Sequence, residues 1–173
     1  MIETAVLISI KPKWVRLILS GKKTIEVRKT VPKLTPPFTC YIYESGTGCV
    51  VGEFICTGFT NVRMLSQIIP DEDGDGYTRV YQTDYDALKK ACLSPLEAAK
   101  YGNRLDTIGL HISSVKEYET PLPVTAFMAR CDYDGPCALC KHAELDPVDE
   151  CLTCQNIVTK PPQSWRYVQK RVE

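Results

Sequence analysis

Two cysteine pairs, Cys137/Cys140 and Cys151/Cys154, each follow the spacing C-x-x-C and are separated by ten residues. Thiolates two residues apart can turn around one ion, so two such pairs supply the four ligands of a tetrahedral zinc at about 2.3 Å. Cys131 and His142 are spare ligands that could replace one member. The ion takes the place of the core that so short a segment lacks, and four thiolates leave no open position for catalysis. The expected cofactor is zinc, in a structural role or as a knuckle on which a protein partner docks. A second group does different chemistry. Glu26 can accept hydrogen bonds from the amino group of a base, while Lys23 and Arg28 donate to carbonyl or phosphate oxygens. Lys22 adds a neighbouring cation. Trp165 offers an aromatic face on which a base could stack, but its first expected role is to fill the core that the C-terminal tail closes.

These groups must be positioned by short elements. Val6, Leu7, Ile8 and Ile10 form an apolar run suited to a mostly buried strand, and Pro12 then opens a helix over residues 13–20 that stops at Ser20-Gly21. Residues 24–29 alternate, which directs Ile25 and Val27 to the core and sets Glu26 and Arg28 together on the opposite, polar face. Runs at 38–44 and 50–57 flank a Ser-Gly-Thr-Gly loop and predict an antiparallel hairpin. A polar middle section carries an acidic loop at 71–76. Two helices follow, near 84–92 and at 96–101 after Ser94-Pro95. Strand character returns at 107–115, and residues 121–128 are extended before the cysteine-rich segment. The organisation expected is a domain over 1–130, a zinc-knuckle insertion over 131–156 and a tail over 157–173.

The chain carries 21 basic and 21 acidic residues, so attraction to a polyanion must come from a patch rather than from net charge. Between Lys11 and Lys33 eight cations face one acid, Glu26, whereas acids crowd the cysteine segment. No apolar run approaches the roughly 18 residues that span a bilayer, and no signal peptide is evident, so the expected location is the cytoplasm, with no membrane partner. There a reducing thiol pool disfavours disulfides, which strengthens the metal reading of a chain with nine cysteines.

The run Ile10-Lys11-Pro12, a short helix, and then Ser20-Gly21-Lys22-Lys23-Thr24-Ile25-Glu26-Val27-Arg28 resembles the ASCH domain, whose signature G-x-K-x-x-E-x-R falls on Gly21, Lys23, Glu26 and Arg28. Residues 41–44, 50–54, 108–112 and 161–165 are similar to the bacterial and phage branch of that family. The resemblance implies an α+β protein with a PUA-like β-barrel, a few short helices and here a small zinc-binding insertion. It also implies binding of RNA or of a nucleobase or nucleoside, modified or not, in a cleft lined by the signature, in RNA metabolism or transcriptional regulation.

One branch of the family hydrolyses acetylcytidine with a lysine, a threonine and a glutamate. Lys23 matches the lysine, but Glu26 stands where the threonine belongs; Glu53 and Glu97 are the candidate glutamates. An amidohydrolase on acylated nucleosides is therefore the alternative to a binding protein, and a zinc-stabilised interaction adaptor is a third. No G-x-S-x-G or phosphate loop is present, His111 lies in an expected strand as a structural residue, and the acidic loop lacks the bidentate Glu of an EF-hand because Gln82 occupies that position.

Overall fold

A computed structural model describes residues 4–62, 64–70, 77–102, 107–129 and 157–170. Strand β1 (Ala5–Ile10) lies deep in the sheet, with five of its six residues buried, as its continuous apolar run requires. It pairs in parallel with β3 (Phe38–Glu44) and antiparallel with β9 (Trp165–Lys170). Between β1 and β3 come helix α1 (Pro12–Leu19) and strand β2 (Ile25–Arg28). Pro12 sets the first turn of α1, where its missing N–H costs nothing, and Val15 and Ile18 form the buried stripe.

The expected hairpin is present: β3 pairs antiparallel with β4 (Cys49–Val62). Strand β4 runs past the expected end, because β7 (Thr107–Pro123) accompanies it along its length through three register shifts. Such bulges bend and twist a pair of strands. The middle section holds a hairpin that sequence patterning did not single out, β5 (Met64–Pro70) with β6 (Tyr77–Thr83); the acidic loop expected at 71–76 lies outside the described residues. Helices α2 (Tyr85–Lys90) and α3 (Pro95–Gly102) follow as expected. Asp84 caps α2 by accepting from the Ala87 N–H at 3.0 Å. Ser94 and Glu97 form a reciprocal capping box on α3, with bonds of 3.0 to 3.2 Å. Beyond β7, a 3-10 turn (Val124–Ala126) leads into the short strand β8 (Phe127–Ala129), which pairs with β9.

The main sheet has seven strands in the order β2-β7-β4-β3-β1-β9-β8. Strand alternation in β1 supplies two cores: Val6, Ile8 and Ile10 meet Val15 and Ile18 of α1, while Ala5 and Leu7 meet Phe127 and Val168. A third core joins Ile25 and Val27 to Val62, Leu88, Ala91 and Ala98, so α2 and α3 pack on β2. This packing needs Gly109, which pairs with Val27 and Thr60. A Cβ there would stand 2.6 Å from Ile25 Cγ2 and 3.1 Å from Thr60 Cγ2.

The expected barrel is corrected by this order. Among the described residues the sheet does not close by a ladder: β2 is bonded only to β7, and at the other edge β8 pairs with β9 and makes one further bridge, from Met128 to Ile157. Both edge strands are short, four and three residues, and offer little backbone for a closing pair. The sheet curls instead. The β2 edge returns to β1 closely enough for the side chain of Arg28 to reach the carbonyl of Ser9, so a guanidinium bridges the gap that a barrel would close with main-chain bonds. The alternation expected in β2 is correct in sense, but both of its faces are buried.

Candidate functional site

Lys23 sits where α1 hands over to β2. Gly21 takes the left-handed conformation at φ +72, which a glycine adopts without penalty. Its N–H bonds to Ile18 O and that of Lys23 to Leu17 O, both at 2.9 Å, so the turn is tied to the helix it ends. The same turn is held from the other side by the end of α2: Thr24 N–H bonds to Lys90 O at 2.9 Å, and the Cys92 thiol lies 3.4 Å from Lys22 O. The Lys23 side chain is thereby directed inward. It is 2% exposed, and its Nζ donates to Ala91 O at 2.6 Å.

Glu26 lies between two cations. Its Oε2 is 3.4 Å from Lys23 Nζ and its Oε1 is 3.0 Å from Arg28 Nη2. Arg28 continues outward from this pair: Nη2 also donates to Ser9 O at 2.6 Å, and Nη1 makes long contacts of 3.5 and 3.4 Å with the carbonyl and hydroxyl of Ser164. Arg28 Nε has no partner, although it is buried. The trio thus carries two cationic groups on one carboxylate, with one N–H donor unused. Burial lowers the Lys23 pKa below the ordinary lysine value; Glu26 opposes this and Arg28 adds to it. Behind the trio, the Cys40 thiol is pushed well up by burial and the neighbouring Cys56, so it stays protonated beside Glu26 and Arg28.

Two aromatic residues that sequence reasoning passed over border the trio. Trp14, in the first turn of α1, has Lys23 Nζ 5.0 Å from its ring centroid and Lys13 Nζ at 4.2 Å. Tyr101 on α3 has Lys29 Nζ at 5.5 Å from its ring, and its phenol feels the charges of Arg28 and Glu26. Helical spacing gave no hint of this: Trp14 precedes the signature by less than a dozen residues but only the turn at Gly21 folds Lys23 back to its ring, and Tyr101 reaches the site through the packing of α3 on β2.

Lys23, Glu26 and Arg28 are brought together; the other candidates lie apart. Lys22 is exposed and meets the site through its backbone carbonyl. Trp165 packs beside the first core and gives its indole N–H to Thr30 O at 3.0 Å, while its neighbour Ser164 contacts Arg28. Glu53 accepts from the Tyr118 hydroxyl, whose proton is held by burial and by that carboxylate. Glu97 is occupied by the α3 cap and by Lys13 at 3.1 Å, and these bonds hold its pKa down at about 2. His111 is exposed, opposite Ile25. Cys131, Cys137, Cys140, His142, Cys151 and Cys154 lie outside the described residues, among which no cluster of three or more His, Cys, Asp or Glu could hold a metal.

Residues 8–101 match the ASCH domain family. Among solved structures, the chain is similar to the crystal structure of ASCH from Zymomonas mobilis, at 18% identity and a TM-score of 0.52 over 69% of this chain and 73% of that one. It is similar also to a serine-to-alanine variant of that protein, at 16% identity and a TM-score of 0.54 over 94% of this chain and 87% of that one. Identities this low speak for the fold alone. No curated protein matches the sequence.

The charge balance of the trio makes an ordered set of stabilities. Removing the carboxylate in Glu26→Gln leaves two buried cations uncompensated, at an expected cost of about 3–5 kcal/mol. Lys23→Met leaves the Glu26 and Arg28 pair intact and orphans only the Ala91 carbonyl, for about 1–3 kcal/mol. Urea denaturation of both variants checks the order; a Glu26→Gln protein as stable as Lys23→Met would show that the carboxylate does not neutralise the cations.

Proposed function

The chain belongs to the ASCH domain family, and on that premise we propose that it binds RNA, or a nucleobase or nucleoside, at the polar site built on Lys23, Glu26 and Arg28. The family is PUA-like and associated with RNA binding. The observation that carries the reading is the unpartnered Arg28 Nε, inside a trio that keeps one more cation than anion. A buried donor left unmade costs free energy, and a ligand acceptor recovers it. Mixed donors and acceptors suit a heterocycle with carbonyl and amino edges better than a bare phosphate, which Glu26 would repel. The role that fits is in RNA metabolism or transcriptional regulation.

Hydrolysis of acylated nucleosides is the second reading, favoured by one observation: burial lowers the Lys23 pKa toward the range in which an amine acts as a base. Against it, the Lys23 ammonium is bound by Ala91 O and Glu26, and both candidate glutamates are engaged elsewhere.

Zinc belongs to the proposal as well, held by Cys137, Cys140, Cys151 and Cys154, with a protein partner docking on the knuckle. The spacing of the two C-x-x-C pairs supports it. We assign the protein to the reducing cytoplasm, where disulfides are disfavoured and paired cysteines serve metals. No helix among the described residues is long and apolar enough to cross a membrane.

Three measurements test these statements. Arg28→Lys keeps the charge but loses the planar fork and its free Nε–H, so labelled single-stranded RNA or the preferred nucleoside should bind about tenfold more weakly to it; unchanged affinity in a folded Arg28→Lys protein would place the binding surface elsewhere. Elemental analysis should find one zinc per chain, lost in a Cys137→Ser, Cys140→Ser variant. Metal-free protein in which residues 131–156 resist protease under reducing conditions would contradict the knuckle.

A further inference from the structure

Trp14 and Tyr101 come from different helices, and each ring meets a cation of the trio or next to it: Lys23 for Trp14, and Lys29, the residue after Arg28, for Tyr101. Lys23, 2% exposed, approaches the Trp14 ring from the buried trio. Lys13, with 62% of its side chain exposed, approaches the same ring at 4.2 Å and is pinned there by Glu97 of α3 at 3.1 Å. Tyr101 lies one helix turn beyond Glu97, is 39% exposed, and has its ring 5.5 Å from Lys29, the residue after Arg28. The half-buried Trp14 and the partly exposed Tyr101 set ring faces beside a buried N–H donor that lacks a partner, which is the observation that calls for a ligand. A cation over a ring occupies the face on which a planar ligand would stack, and the Lys13–Glu97 pair is a solvent-exposed ion pair of the weak, exchangeable kind.

We infer that Trp14 and Tyr101 form the aromatic rim of this site, that its ligand is a single unstacked nucleobase, and that Lys13 with Glu97 is the exchangeable cover which the base displaces from Trp14. The inference rests on the proposed function and names the ligand class of the same site. The base edge meets Arg28 and Glu26, and its face meets the rim. The sugar and any phosphate remain outside, toward the exposed cations Lys13 and Lys29. One base is selected over a run of phosphates because the floor of the site holds a carboxylate and only one cation in excess. Helix α3 suits a cover, since it buries only Ala98 and Gly102 and leaves Leu96 79% exposed.

The test uses the intact protein and its tryptophan emission, with the four ribonucleosides, acetylcytidine and inorganic phosphate as probes. At least one nucleoside should quench the emission saturably while inorganic phosphate does not. The quench should vanish in Trp14→Phe and persist in Trp165→Phe. Tyr101→Leu should weaken binding by about tenfold, and Tyr101→Phe, which keeps the ring, should retain it. Glu97→Gln, which loosens the cover, should bind the nucleoside more tightly than wild type. Nucleosides whose Arg28-dependent binding leaves Trp14 emission and the Tyr101→Leu affinity unchanged would overturn the rim and leave the proposed function standing. Arg28-dependent binding of single-stranded RNA with no binding of any nucleoside would overturn the single-base ligand alone. Binding of neither RNA nor nucleosides would overturn both.

Discussion

A carboxylate held between two cations, with none of the three more than 7% exposed, is the interaction on which the rest of this structure depends. Two like charges cannot be buried side by side without an opposite one, because desolvation and mutual repulsion add. Glu26 supplies that charge and so permits each cation to do a second task. Lys23 binds the last turn of α2 and fastens the turn after α1 to the helical layer. Arg28 spans from β2 to Ser9 of β1 and to Ser164 ahead of β9, drawing the two sides of a curled, open sheet together. Both contacts end on backbone carbonyls, which need a donor wherever they are buried.

The surrounding elements are arranged to keep that cluster in place. Strand β2 has no solvent face: Ile25 and Val27 pack under α2 and α3, and Glu26 and Arg28 turn toward the first core and the Cys40 thiol. The absence of a side chain at Gly109 lets β2 and β4 approach β7 closely from its two sides. The tail reinforces the same seam, since Trp165 bonds to Thr30 and the Tyr167 hydroxyl accepts from Lys33 N–H at 2.7 Å. A rigid frame therefore surrounds a polar cluster that is nearly, but not fully, satisfied. The one donor left unpaired in that frame, Arg28 Nε–H, is what the proposed binding of RNA or a nucleoside rests on.

Much of this was legible in the sequence, and the losses share a cause. Local patterns found the strands at 5–10, 25–28 and 38–44, the α1 stop at Gly21, the caps at Asp84 and Ser94, and the placing of Glu26 beside Arg28, because each depends on neighbours a few residues away. The barrel failed because closure is decided by whether edge strands that are distant in the chain can form a ladder. Here a side chain does that work, joining residues 136 apart at Arg28 and Ser164. The Lys23 contact with Ala91 spans 68 residues and the Lys13 pair with Glu97 spans 84. No periodicity reports such separations, so Trp14 and Tyr101 read as ordinary helical positions. The hairpin at 64–83 was hidden by the polar, glycine-containing loop at its centre, though Ile68, Ile69, Tyr77, Val80 and Tyr81 are strand-forming residues.

The central claim is that the Glu26-centred trio both holds the sheet and keeps Arg28 Nε–H in reserve for a ligand. Nitrogen-15 resonance of the arginine side chains observes that proton directly, because a buried Nε–H exchanges slowly with water. The account predicts a protected Arg28 Nε–H signal in the free protein that shifts when the preferred nucleoside or single-stranded RNA reaches saturation. An Arg28 signal that stays fixed while the ligand is demonstrably bound would contradict it.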